Sequence, residues 1–179
     1  MEHNPVNALY DEHRIISLAE EYIQNLFHTW VDKPAVYETN VKELLSLLSE
    51  YADNLHHKKE EGILFPALRD IPEFTLGELL DELEAHHERF RDFIHKIKDD
   101  LGEGNYPESY AILKEYCNDL LDHIAVEDDE LFVLAESMLS PQEMEKIYFL
   151  FEDVDREMGM DRKSEFESFF SKSELVKTQ

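Results

Sequence analysis

The amino-acid sequence predicts an all-α protein: an up-down-up-down four-helix bundle with one or two additional C-terminal helices. Three observations carry that expectation. Apolar residues recur at steps of three and four through almost all of the 179 residues, the spacing of one helix face. Five glycines and six prolines are few for an all-β chain full of turns. Four long periodic stretches are joined by short connections, the pattern of antiparallel neighbours.

The first helix is expected over about residues 7–30, with Leu9, Ile16, Ile23, Phe27 and Trp30 on one face and Asp32-Lys33-Pro34 as its stop. The second runs from about 35 or 39 to 68 on a stripe of Val41, Leu45, Leu48, Ala52, Ile63 and Ala67, with Pro66 closing or kinking the last turn. The third opens on Thr75-Leu76-Gly77-Glu78, the pattern of a capping box, and continues through Leu79, Leu83, Phe90, Ile94, Ile97 and Leu101. Gly102, Gly104, Asn105 and Pro107 break the chain. The fourth spans about 108–138 on Leu113, Tyr116, Leu120, Leu131 and Leu134. Ser140-Pro141-Gln142-Glu143 is the strongest helix start, with Ser at the cap, Pro at the first position and Glu at the third. That fifth helix should stop near Gly159. A short sixth, about 162–170, carries Phe166, Phe169 and Phe170, and residues 171–179 read as frayed. Residues 1–160 thus form the bundle with its following helix, and 161–179 a short helix and tail.

Lys and Arg total 17 against 42 Asp and Glu, a net charge of −25. Such a molecule repels phosphate backbones and anionic lipid, so neither a nucleic acid nor a membrane is an expected partner. With 42% hydrophobic and 11% aromatic residues the chain still has the material for a packed core. The single cysteine, Cys117, excludes an internal disulfide and any Cys-rich zinc or iron–sulfur site. No basic-then-apolar leader opens the sequence, and no stretch approaches the roughly 20 apolar residues of a membrane span. A cytoplasmic location is the expectation.

The anomaly lies in the gaps of the apolar stripes. His13 falls between Leu9 and Ile16. His56 and Glu60, four apart, fall between Ala52 and Ile63. His87 or His86 fills the gap between Leu83 and Phe90. His123 and Glu127, again four apart, fall between Leu120 and Leu131. Residues four apart lie above one another on a helix face. Taken singly, such a histidine is ordinarily a hydrogen-bonded core residue and such a His/Glu pair a surface contact. Taken together, four helices would each bury polar groups near mid-length, and an unpaired buried carboxylate costs several kcal/mol or takes up a proton. One shared cation site satisfies all six groups, and imidazole with carboxylate suits iron, manganese or zinc. His57, Glu61 and His86 sit beside these positions, about a third of a turn round, and periodicity separates them poorly. His3, His28 and His95 read as surface residues. No nucleophile–base arrangement for hydrolysis is visible.

These residues carry a family likeness. His56-His57-Lys58-Lys59-Glu60-Glu61-Gly62-Ile63-Leu64-Phe65-Pro66 resembles the second-helix motif of hemerythrin-like (HHE cation-binding) domains, and the run from His123 to Phe132 resembles its copy in the fourth helix. Asp11-Glu12-His13-Arg14 and His86-His87-Glu88-Arg89-Phe90-Arg91 resemble the single-histidine motifs of helices one and three. The likeness covers about residues 4–158. It sets the register on His56, Glu60 and His87, and it departs from the oxygen-carrying members at one point: Leu83 and Arg91 stand where a fifth histidine would flank His87.

The resemblance implies a metal site of His13, His56, Glu60, His87, His123 and Glu127. It would hold two Fe ions as an oxo- or hydroxo-bridged di-iron centre, with Glu60 and Glu127 bridging. Glu12, Glu61, His57 and His86 would be outer hydrogen-bond partners or solvated residues. The function implied is that of a redox- or gas-responsive protein meeting a small ligand such as oxygen, nitric oxide or peroxide. An iron-handling or iron-donor protein is the alternative, and a bundle with a purely structural metal a third. Four imidazoles would leave about two of some twelve ligand positions open.

Overall fold

The computed structural model describes residues 4–176, and these residues are helical with no strand among them. Asn4 caps the first helix by accepting from the Val6 amide, and Pro5 takes the position where its missing N–H costs nothing. The expected single first helix is in fact three: α1 (Pro5–Ile16), α2 (Ala19–Leu26) and α3 (Thr29–Asp32). A tightened turn at Ser17 and Leu18 separates the first two, the Leu18 amide reaching back three residues to Ile15. The second break is sharper. His28 adopts φ 61°, an uncommon conformation for a residue with a side chain, and its ring stacks on Phe27 at 4.0 Å. Phe27, expected on the buried face, is exposed for this reason.

Helix α4 covers residues 34–69 and is not a plain α-helix. It opens as Pro34–Leu47, passes through π-helical turns at Leu48–His57 and Glu60–Leu64, and closes as Phe65–Arg69. Pro66 sits at the start of that closing turn. Each π turn takes in more residues than an α turn, so the buried face slips. Beyond the polar positions it is Leu64, Phe65 and Leu68 that are buried, while Ile63 and Ala67 are only half so.

Helix α5 (Gly77–Gly102) starts one residue later than its capping motif suggests. Leu76 is the cap residue and makes no side-chain bond, so the Thr75 box does not form. Helix α6 covers residues 106–138, again with a π turn, Glu127–Leu131, in its middle. Helix α7 (Pro141–Met158) has the expected capping box of Ser140 and Glu143, and Gly159 ends it at φ 92°. The expected sixth helix is two short ones, α8 (Met160–Glu167) and α9 (Phe169–Lys172). The tail beyond Ser171 is anchored at its described end, although Ser171, Lys172 and Glu174 are exposed. Val176 is buried, and the Asn25 side chain donates to the Leu175 carbonyl at 2.7 Å. Residues 1–3, with His3, and residues 177–179 of the expected frayed end lie outside the described residues.

Two apolar clusters divide the interior. One contains Ile16, Leu55, Phe90 and Leu120, the other Leu9, Leu64, Leu83 and Leu131. The polar positions lie between these residues on every long helix. The chain enters that layer from alternate clusters in α1, α4, α5 and α6, which is consistent with up-down-up-down order. Helix α7 packs outside the groove between α1 and α4. No helix among the described residues is long and apolar enough to cross a membrane.

Candidate metal centre

His13, His56, Glu60, His87, His123 and Glu127 are all buried, and they converge. One donor atom from each of His13, His56, Glu60 and Glu127 falls within 4.8 Å of the others. A second set has the same span and joins His87 and His123 with His57. The helical period puts His57 only beside the site. The structure buries it and lays its ring on that of His87, with centroids 3.7 Å apart and planes inclined by 10°. The π turns of α4 account for this, since they let two consecutive residues face the interior. A His-His pair is the only trace of it in the sequence.

The outer nitrogens set the inner ones. His13 Nδ1 contacts Asp128 Oδ1 at 2.7 Å, His56 Nδ1 Glu12 Oε2 at 3.0 Å, His57 Nδ1 Asp53 Oδ1 at 3.2 Å and His87 Nδ1 Glu61 Oε1 at 2.7 Å. A carboxylate beside Nδ1 assigns the proton there and leaves Nε2 as a lone pair. Those lone pairs then face one another: His13 Nε2 lies 2.8 Å from His56 Nε2, and His87 Nε2 lies 3.0 Å from His123 Nε2. The fifth ring, His123, has His86 Nδ1 at 3.4 Å from its own Nδ1. Of the expected outer partners, Glu12, Glu61 and His86 therefore stand against the converging rings, while Asp53 and Asp128 join them with no distinguishing signal in the sequence.

Both oxygens of Glu60 and of Glu127 are buried and accept no hydrogen bond. They face ring nitrogens instead. Glu127 Oε1 lies 3.2 Å from His123 Nε2 and Oε2 lies 3.3 Å from His13 Nε2. Glu60 Oε1 lies 3.4 Å from His56 Nε2 and Oε2 lies 3.6 Å from His87 Nε2. Each carboxylate thus spans from one imidazole pair to the other. Acceptors facing acceptors in a dry interior repel unless a cation or a proton lies between them. In the metal-free protein protons serve. Burial alone would lower His13, but Asp128 and Glu127 raise it to about 9. Burial and the neighbouring Glu127 push Glu60 well above the carboxylate range. Burial, helped by the charge on His13, drives His56 down to about 4. Metal cations in the same gap satisfy all these donors, so the residues present fit a metal centre.

Two cations brace the outer partners. Arg91 Nε and Nη2 reach Asp53 Oδ1 at 2.8 and 2.7 Å, and Nη2 reaches Glu61 Oε1 at 3.0 Å. Lys59, wholly buried, pairs with Glu12. Burial would raise Glu12, but His56 and Lys59 hold it down at about 2. Cys117 is buried on α6, and burial pushes its thiol up to about 11, so the reactive thiolate is scarce. His28 and His95 are exposed, as expected.

A helical protein that gathers imidazoles and carboxylates from its long helices around one dry layer belongs to the cation-binding helical proteins. The family model described as Hemerythrin HHE cation binding domain matches residues 3–135, and the chain belongs to that family. It is also similar to the iron-sulfur cluster repair protein DnrN of Neisseria gonorrhoeae, 30% identical over 140 residues that cover 73% of this chain and 82% of that protein. No solved structure matches the chain.

Proposed function

We propose that the chain holds a redox-active di-iron centre and serves the repair of iron–sulfur clusters. The observation that carries the metal reading is the pair of facing imidazoles on each side, 2.8 and 3.0 Å apart at Nε2, spanned by two carboxylates without hydrogen bonds. His13 and His56 are assigned to one iron, His87 and His123 to the other, and Glu60 and Glu127 to the bridging role. His57 joins the second set as a fifth imidazole. Iron bound there would supply one-electron redox and Lewis-acid chemistry. The chain's own part is to hold each Nε2 deprotonated through a fixed Nδ1 partner and to keep the site dry between two apolar clusters.

The repair role rests on the relative's printed function and on the acidic surface, which suits handling of a cation. Oxygen and nitric oxide are the small ligands proposed to reach the centre. Elemental analysis of protein reconstituted with iron tests the reading, and about two irons per chain are expected, with iron retained over zinc. A cluster-damaged iron–sulfur enzyme should regain activity with loaded protein and not with metal-free protein. One metal per chain, or none, defeats the di-iron assignment. Full loading without any rescue of the damaged enzyme defeats the repair role and leaves the gas-responsive, iron-handling and structural-metal readings.

A further inference from the structure

Lys59 has no exposed surface. A buried ammonium is tolerated only where carboxylates compensate it, and Lys59 has two, from different helices. Its Nζ pairs with Glu12 Oε1 on α1 and lies 2.6 Å from Asp155 Oδ1 on α7. Glu12 gives its other oxygen, Oε2, to His56 Nδ1 at 3.0 Å. Asp155, 7% exposed, gives its other oxygen, Oδ2, to Lys163 on α8. A continuous row thus runs from the buried His56, Glu12, Lys59 and Asp155 to the half-buried Lys163, with alternating charge beyond the imidazole. Asp155 and Lys163 both lie outside residues 3–135, the part matched by the family model.

We propose that Asp155 is a positioning residue of the metal centre: through Lys59 it holds Glu12, and through Glu12 the ring of His56. This rests on the di-iron reading above. The four charged groups sum to zero as they stand. Without the Asp155 charge, Glu12 Oε1 is the remaining buried carboxylate oxygen for two ammonium groups: Lys163 Nζ already lies 3.7 Å from it, and the other carboxylate beside Lys163, the exposed Glu167, is farther, at 3.9 Å. Glu12 is then drawn toward Lys163 and away from His56 Nδ1, and the ring loses the contact that aims Nε2 inward. Docking of α7 does not need this device. Met144, Ile147 and Phe151 already bury that helix against the bundle, and Lys58 and Glu157 tie the same two helices together on the surface.

The test compares Asp155→Asn with Glu157→Gln in the full chain. Ferrous iron is loaded without oxygen and withdrawn by competition with a chelator, and cobalt(II) loaded in parallel reports ligand geometry through its visible absorption. Asp155→Asn is expected to weaken metal binding about 10–100-fold, the usual cost of losing an outer partner, and to change the cobalt bands. Glu157→Gln should stay within about twofold of the unmodified protein, as an exposed ion pair contributes little. If Asp155→Asn does not fold, the double variant Lys59→Met, Asp155→Asn replaces the pair together and should show the same loss. Wild-type affinity and bands in a folded Asp155 variant overturn the positioning role, as do equal losses in Asp155→Asn and Glu157→Gln. An unmodified protein that takes up neither metal defeats the underlying metal reading instead.

Discussion

His57 lies flat on His87, ring over ring at 3.7 Å, although the two residues come from different helices and the sequence places only His87 in the site. Both rings have a carboxylate at Nδ1, and both reach within 4.8 Å of a common donor on His123. His57→Ala should therefore weaken iron binding as severely as His87→Ala, by more than about 100-fold, while His86→Ala should stay in the range of about 10–100-fold typical of outer partners. Chelator competition on the three variants decides it. If His57→Ala behaves like His86→Ala, His57 is an outer residue after all.

Arg91 is one of the two positions, with Leu83, at which the family resemblance leaves a further histidine missing, and it grips the two carboxylates that orient His57 and His87. Arg91→Met should cost about 10–100-fold in metal affinity. The metal-free melting temperature should drop by no more than about 2–4 °C, since the pairs are partly exposed. Arg91→Lys should not restore binding, because an ammonium lacks the planar fork that reaches both groups. Recovery in Arg91→Lys would show that only charge matters at this position.

Much of the fold and of the site is legible in the amino-acid sequence. Ser140-Pro141-Gln142-Glu143 marks α7 to the residue because a capping box is local chemistry and little else competes with it. The four inward histidines stand out because a polar residue in an apolar stripe breaks a period. The π turns are not legible, and they change most. They move the buried face of α4 from Ile63 and Ala67 to Leu64 and Leu68 and turn His57 inward. Nor can periodicity find Lys59, Asp53 or Asp155, since a charged residue beside a helix stripe reads as solvated surface until its partner on another helix is known. The Thr75 box fails for the converse reason: the motif is present, but the chain enters α5 through Leu76 instead.

Acid should destabilise the metal-free protein through His56. Its ordinary value of 6.5 falls to about 4 on burial. Between those values the unfolded chain binds a proton there that the folded protein refuses, so stability falls as pH falls from about 6.5 toward 4. This one ring contributes on the order of 3 kcal/mol across that window. Proton uptake by Glu60 opposes this over part of the same window, so the ring's share is read as a difference: in urea unfolding at pH 7, 5.5 and 4.5, His56→Gln should lose less stability with acid than the unmodified protein. Parallel curves for the two proteins would mean that His56 does not titrate as its surroundings dictate.

The number of small ligands the centre accepts follows from the number of imidazoles. Two six-coordinate irons offer about twelve positions. In the proposed centre two bridging carboxylates would fill four, and the bridging oxygen implied by the family resemblance would fill two. Four histidines would leave two positions, whereas His57 as a fifth leaves one. The reduced, iron-loaded protein should then take up about one nitric oxide per chain, and His57→Ala, measured at saturating iron, about two. An anaerobic titration followed by electron paramagnetic resonance and by the N–O stretching band counts them. Two per chain in both proteins would return His57 to the outer partners and leave both irons open. One per chain in both would mean that another group takes the position that His57 vacates, and Asp53, whose Oδ1 already lies 3.2 Å from His57 Nδ1, is the carboxylate that faces it on the same helix.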